Sequence, residues 1–145
     1  MRYTFLIFIL LLVTWSCSKT KYSSTPSLKF KSVNTTALHP QGVLNFQLTF
    51  TDAEGDFADS GSVYIDFMQR MVPGCTISDN YATFLLPVFP TTKDTKGTIN
   101  VSLNYGDITP QCSPLNDTTV FHFVLKDDAG HVSDTASSPT IIIYN

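Results

Sequence analysis

The clearest pattern in the chain is an alternation of apolar and polar residues between positions 43 and 51. Large apolar side chains stand at the even positions 44–50, and Asn, Gln and Thr stand between them. A period of two is typical of a β-strand that buries one face. Weaker versions of the same alternation occur at residues 27–33, 62–70 and 97–105. These segments predict four half-buried strands.

Three further segments complete a predicted set of seven strands. Residues 83–89 are apolar but contain Pro87, which restricts them to the edge of a sheet. Residues 118–126 are apolar on both faces, which predicts a central strand, and residues 132–144 are interrupted near Pro139. No segment has a helical period. The pattern therefore predicts an all-β fold, a single seven-stranded antiparallel β-sandwich over residues 27–145.

The first 16 residues have the features of an export signal. Arg2 precedes an apolar stretch over residues 3–13, which is about half the length that a membrane-spanning helix needs. The sequence LLVTWSC then resembles a bacterial lipobox, which implies cleavage before Cys17 and acylation of its thiol. Residues 17–26 are polar and read as a tether. An ordinary secretory signal and a buried apolar helix are the alternatives.

The residues around the cysteine indicate a location for the protein. Ser16, Cys17, Ser18 and Lys19 resemble the corresponding residues of Bacteroidetes-type envelope lipoproteins. The resemblance implies anchoring by lipid in the bacterial cell envelope, with the outer membrane as the expected location. Lysines rather than acidic residues follow the cysteine, which favours the periplasmic face over the cell surface.

Two longer stretches resemble loops of known β-sandwich domains. The sequence LKDDAGHVSDTASSPTIII, residues 125–143, resembles the last hairpin of bacterial immunoglobulin-like and fibronectin-III-like domains. The sequence TDAEGDFADSGSVYIDF, residues 51–67, resembles the connection between the second and third strands of cadherin-like domains and of small envelope lipoproteins. These resemblances imply an Ig-like sandwich and assign no biochemical role.

The two cysteines that remain after lipidation, Cys75 and Cys112, form an even pair in an oxidising compartment. Up-and-down strand order places both in loops at one end of the sandwich, as a disulfide requires. Such a bridge would stabilise the fold by about 4 kcal/mol in the chain-entropy model. Two unrelated thiols are the alternative, and a metal site is less favoured because no other ligand lies at a suitable spacing.

The same strand order gathers acidic residues at the opposite end. Carboxylates that converge from separate loops are ligands for Ca²⁺, which takes 6 to 8 oxygens. A solvated acidic loop with Asx-turns is the alternative, and nearby lysines (Lys93, Lys96 and Lys126) offer neutralisation without a metal. The candidate calcium ligands are Asp52, Glu54, Asp56, Asp59, Asp127 and Asp128, with Asp94 nearby.

Charge and motifs narrow the classes of function. A formal net charge of −3 does not favour binding to nucleic acid. The sequence contains no nucleophile, zinc or phosphate-binding motif, so we expect no enzymatic activity. The predicted function is a tethered module that binds a protein or a glycan, and the alternative is a structural subunit of an envelope complex. The predicted edge strand at residues 83–89 could recruit a partner by strand addition, or it could simply cover the core. The candidate partner edge comprises Phe84, Leu86, Val88 and Phe89.

Overall fold

The architecture is all-β, with sheets that are antiparallel except for one short pair. It was obtained as a computed structural model that describes residues 21–57, 62–66, 81–87, 92–108 and 114–145. Two predicted features, Cys17 and the Cys75–Cys112 bridge, lie outside the described residues. Ten strands are described: β1 (Ser27–Val33), β2 (Ala37–Leu38), β3 (Val43–Asp52), β4 (Ser62–Asp66), β5 (Tyr81–Leu85), β6 (Thr95–Asn104), β7 (Asp117–Thr119), β8 (His122–Lys126), β9 (Ala136–Ser137) and β10 (Ile141–Ile143).

The strands form three sheets. The first has the order β1-β3-β6, the second β2-β10-β7, and the third β5-β4-β8-β9. β10 runs parallel to β2 and antiparallel to β7. β3 and β6 pair in register over ten residues, from Val43 opposite Asn104 to Asp52 opposite Thr95. This ladder defines two ends of the molecule: the end at Asp52, called here the acidic end, and the end at Val43.

One core joins the three sheets. Phe46 of β3 contacts Phe121 and Phe123, with ring centroids 5.0 and 5.1 Å apart. All three rings are fully buried, and they belong to the same cluster as Ile141 and Ile143 of β10. The even positions of β3 are buried and the odd ones face outward or are partly covered, as the alternation predicts.

The predicted strands at 118–126 and 132–144 are each divided in two. β7 ends at Thr119 and β8 starts at His122, while β9 and β10 lie on either side of Pro139. The buried Ser138 explains the first break, because its hydroxyl accepts the Phe121 amide at 3.0 Å while its own amide donates to the Phe121 carbonyl at 2.9 Å. The Ser138 hydroxyl thus takes the place of a backbone acceptor. The chain belongs to the second sheet before this point, as β7, and to the third sheet after it, as β8.

Candidate cation site

Three aspartates, one at the end of β3 and two from loops, meet at the acidic end. One carboxylate oxygen from each of Asp52, Asp56 and Asp127 lies within 4.8 Å of the others. Asp52 and Asp127 are buried, at 0 and 1 % exposure, and Asp56 is half-buried. Two oxygens bound to one Ca²⁺ at about 2.4 Å cannot be more than about 4.8 Å apart. The separations therefore suit a shared calcium ion.

Asp52 is held by the turn that follows β3. Its Oδ2 accepts hydrogen bonds from the amides of Glu54, at 3.0 Å, and Gly55. Gly55 has a φ of +64°, and a Cβ there would collide with Thr95 and with the Thr92 carbonyl. Only glycine combines that φ with that close approach at no steric cost. The Asx-turn that the sequence suggests is thus present, and it fixes the Asp52 carboxylate.

Two carboxylate oxygens at the site have no hydrogen-bond partner. Oδ1 of Asp52 and Oδ1 of Asp56 are buried and accept no hydrogen bond from any described residue. Burial raises the pKa of Asp52, the two backbone hydrogen bonds lower it, and the nearby Asp56 and Glu54 raise it further, with a net increase. Burying a carboxylate without a partner is costly. A cation at this position would remove that cost.

Asp127 is oriented by the hairpin that joins β8 to β9. Its Oδ1 accepts the His131 amide at 2.7 Å, and its Oδ2 lies 2.9 Å from the His131 Nδ1. The hydrogen bond to Asp127 raises the pKa of the exposed His131 imidazole. A hydrogen bond that orients a ligating carboxylate is a common supporting contact in metal sites. This contact was not predicted from the sequence.

The other candidate ligands have different positions. Glu54 is exposed and contributes only its amide to the Asx-turn, while Asp128 donates its amide to the Asp56 carbonyl at 2.8 Å. Neither belongs to the group of three, and Asp59 lies outside the described residues. None of Lys93, Lys96 and Lys126 forms an ion pair with the group in the part of the chain that the structure describes.

Asp94 lies at the acidic end but does not belong to the group of three carboxylates. It has a φ of 54°, and its amide donates to the Ala53 carbonyl at 2.8 Å. Its Oδ1 accepts the amides of Lys21 and Tyr22 at 2.6 and 3.0 Å. Asp94 therefore binds the first described residues of the chain.

The predicted partner edge is only partly exposed. β5 is at the edge of its sheet, as Pro87 indicates, and Phe84 is 38 % exposed. Leu86 instead packs against the core, and Leu85, at 76 %, is the most exposed large apolar side chain among the described residues. Leu86 lies beyond the end of β5 at Leu85, and its place in a partner edge stays a prediction. Val88 and Phe89 lie outside the described residues. A groove of about 540 Å³ separates this edge from β6.

Comparison with known proteins gives only distant structural similarity. No protein-family model matches the chain, and no curated protein matches it. Spo0M, a sporulation control protein of Bacillus subtilis, is 11 % identical with a TM-score of 0.49, over 83 % of this chain and 50 % of that one. A β-glucosidase of Listeria innocua with bound glucose is 12 % identical with a TM-score of 0.44, over 83 % of this chain and 16 % of that one. This chain thus spans half or less of these proteins, and similarity at this level supports no functional conclusion.

No helix among the described residues is long and apolar enough to cross a membrane.

Proposed function

We propose that the protein is a lipid-anchored, non-catalytic binding or adhesion module of the bacterial envelope, stiffened by Ca²⁺. Its partner is a protein or a glycan. The lipobox-like sequence before Cys17 supports the anchor, and the even pair Cys75 and Cys112 supports a disulfide. Contact of the buried Phe46 ring with the Phe123 ring of another sheet supports an Ig-like sandwich. The observation that carries the calcium assignment is the convergence of three aspartates, two of which have a buried oxygen that accepts no hydrogen bond from a described residue.

The composition of the site favours calcium over other cations. All three ligands are carboxylates, which are hard oxygen donors, and no sulfur or imidazole belongs to the group among the described residues. Mg²⁺ requires near-ideal octahedral geometry and keeps much of its water, whereas Ca²⁺ accepts irregular sites with loop ligands. Asp56 is half-buried, so water would supply the remaining oxygens from its side.

Thermal melting of the mature protein in detergent, with EDTA or with Ca²⁺, tests the calcium site. A single site at 100-fold excess of ligand over its Kd adds about 2.7 kcal/mol, which raises Tm by about 10 °C in a domain of this size. The double substitution Asp52→Asn and Asp56→Asn is expected to abolish the increase.

Asp107→Asn is the matched control for that experiment. Asp107 is exposed beyond the Asn104 end of β6, at the other end of the β3–β6 ladder, and accepts hydrogen bonds from Asn104 that an asparagine oxygen can also accept. This variant should keep the full response to Ca²⁺. An equal Tm in EDTA and Ca²⁺ for the wild-type protein would refute the calcium site.

The anchor has its own test. Cells that express the full chain are grown with labelled palmitate, and the protein is recovered from the membrane fraction. Label in the wild-type chain and its loss in Cys17→Ala would support lipidation. Lipidation would be refuted if the wild-type chain carried no label and the wild-type and Cys17→Ala chains were recovered from the membrane fraction in equal amounts.

A structural subunit of an envelope complex is the second candidate, favoured by the exposed Leu85 and Phe84 beside the groove. A structural subunit would co-purify in a fixed ratio with its partners from detergent-extracted membranes. Leu85→Lys would disrupt that association without lowering Tm, because Leu85 is largely outside the core. A monodisperse monomer in such extracts argues against this candidate.

A further inference from the structure

The first described residues of the chain are bound to the loop that carries the candidate cation site. The Lys21 and Tyr22 amides donate to Asp94 Oδ1 at 2.6 and 3.0 Å, and the Ala53 amide donates to the Ser23 carbonyl at 2.9 Å. Ala53 is buried and directly follows Asp52. Residues 21–23, called here the docked segment, thus bind next to a proposed ligand.

A second set of contacts makes the docked segment and the site one connected unit. The Asp94 amide donates to the Ala53 carbonyl at 2.8 Å, so both backbone groups of Ala53 participate. Gly55 packs so closely on Thr92 and Thr95 that no Cβ could be accommodated there. A displacement of the loop 52–56 would therefore also move the groups that hold the docked segment.

We infer that cation binding at Asp52, Asp56 and Asp127 is coupled to docking of residues 21–23. The inference rests on the proposed calcium site. Without a cation, the close carboxylates repel one another and favour an opened loop 52–56, whose opening breaks the Ala53 contacts. With a cation, the loop is fixed and the docked segment is held. Coupling of this kind is reciprocal, so docking of the segment also raises the affinity for Ca²⁺.

Through this coupling, the cation would determine how much free chain separates the lipid on Cys17 from the folded domain. Three residues separate Cys17 from Lys21, so with the segment docked the Cα of Cys17 can lie no farther than about 14 Å from the Cα of Lys21. The acidic end then faces the membrane. With the segment released, the free chain runs to the start of β1 at Ser27, a reach of about 35 Å. Calcium thus switches the domain between a fixed pose and a loose tether.

Hydrogen exchange of the mature protein in detergent tests the coupling. Added Ca²⁺ should slow exchange at the Lys21, Tyr22 and Ala53 amides by tenfold or more. Asp94→Gly removes the acceptor for residues 21 and 22 but tolerates the positive φ, whereas Asp94→Asn removes the same charge and keeps an acceptor oxygen. Calorimetry should show Ca²⁺ affinity at least about fivefold weaker in Asp94→Gly than in Asp94→Asn.

The outcomes separate the two proposals. If the wild-type protein binds no Ca²⁺ by calorimetry, the proposed cation site fails. If Ca²⁺ binds but exchange at residues 21–23 does not change, and the two Asp94 variants bind equally, the coupling fails and the site remains. Asp52→Asn removes both a ligand and the repulsion that opens the loop, so exchange at residues 21 and 22 should not respond to Ca²⁺ in that variant. Added protection by Ca²⁺ there would overturn the coupling through this site.

Discussion

Asp52 performs two tasks with its two carboxylate oxygens. Oδ2 holds the Asx-turn through the Glu54 and Gly55 amides, while Oδ1 is buried and accepts no hydrogen bond within the described part of the chain. An asparagine at this position could keep the first task, because its amide oxygen accepts the same hydrogen bonds. It would lose the second, because it carries no charge to bind a cation. The two tasks can therefore be separated by one substitution.

We expect Asp52→Asn to unfold at a higher temperature than the wild-type protein in EDTA, and at a lower temperature in saturating Ca²⁺. Without metal, the substitution removes a buried charge and its repulsion from Asp56, an effect of about 1 kcal/mol. With metal, it removes a ligand. Calorimetric melting in both buffers measures the reversal. A lower Tm than wild type in EDTA would mean that the Asp52 charge already has a compensating partner.

The pH dependence of that difference follows from the raised pKa of Asp52. The folded state holds this proton more tightly than the unfolded state, so the wild-type protein loses stability as pH rises from the ordinary value of 3.8 through the folded value. The asparagine side chain of the variant does not titrate. In EDTA, the stability advantage of Asp52→Asn should therefore grow with pH from about 4 and then level off. Urea unfolding at several pH values measures it, and an advantage that shrinks with pH would contradict the sign.

The sequence contained a signal for two of the three ligands. Asp52 continues the inward even positions of β3, and Asp127 continues the inward positions 121, 123 and 125 of the β8 segment. Each of these aspartates thus occupies the next inward-facing position after the last buried apolar residue of its strand. Loop order alone predicted which end they share, but it could not distinguish them from Glu54 and Asp128, which the structure places outside the group of three.

At the scale of the strands, β6 depends on a glycine opposite a large ring. Gly97 pairs with Phe50, and a Cβ at Gly97 would come within 2.6 Å of the Phe50 ring. The ring covers this part of β6 and leaves Phe50 only 8 % exposed. The pairing explains why an otherwise weak strand residue lies within a ten-residue ladder.

Gly97→Ala should lower the free energy of unfolding by about 1–3 kcal/mol, because the Phe50 ring must move. Gly106→Ala is the matched control, since a Cβ there meets no atom within 4 Å. Urea denaturation compares the two variants, and the control should stay within about 0.5 kcal/mol of the wild-type protein. Equal effects at both positions would show that the ring does not restrict Gly97.

Alternation predicted where strands occur but not how they join. β1 has the predicted bounds and β3 extends the prediction by one residue, because one buried and one exposed face give a period of two. The divisions around β9 depend on Ser133 and Ser138, whose buried hydroxyls accept the Leu125 and Phe121 amides at 2.9 and 3.0 Å. Serine is common on exposed strand faces, so no local pattern distinguishes these two.

At the scale of the whole molecule, the three sheets share one core, so we expect them to unfold together. Phe46→Ala should cost about 3–5 kcal/mol and lower Tm in a single transition for both near- and far-ultraviolet circular dichroism. Val43→Ala on the same strand is the control, because Val43 is 36 % exposed and should cost far less. The rise in Tm on adding Ca²⁺ should survive both substitutions. Two separate transitions would show that the sheets are independent.

The short parallel pair between β2 and β10 cannot form until the last described strand is available. Ile142 lies opposite Ala37 and Ile143 opposite Leu38, so this contact closes a loop of roughly 100 residues. β10 also pairs with β7, and the second sheet cannot form until β10 is available. Contacts this distant in sequence slow folding. A nascent chain would thus stay unfolded for longer, and the export that we propose for this protein requires an unfolded chain.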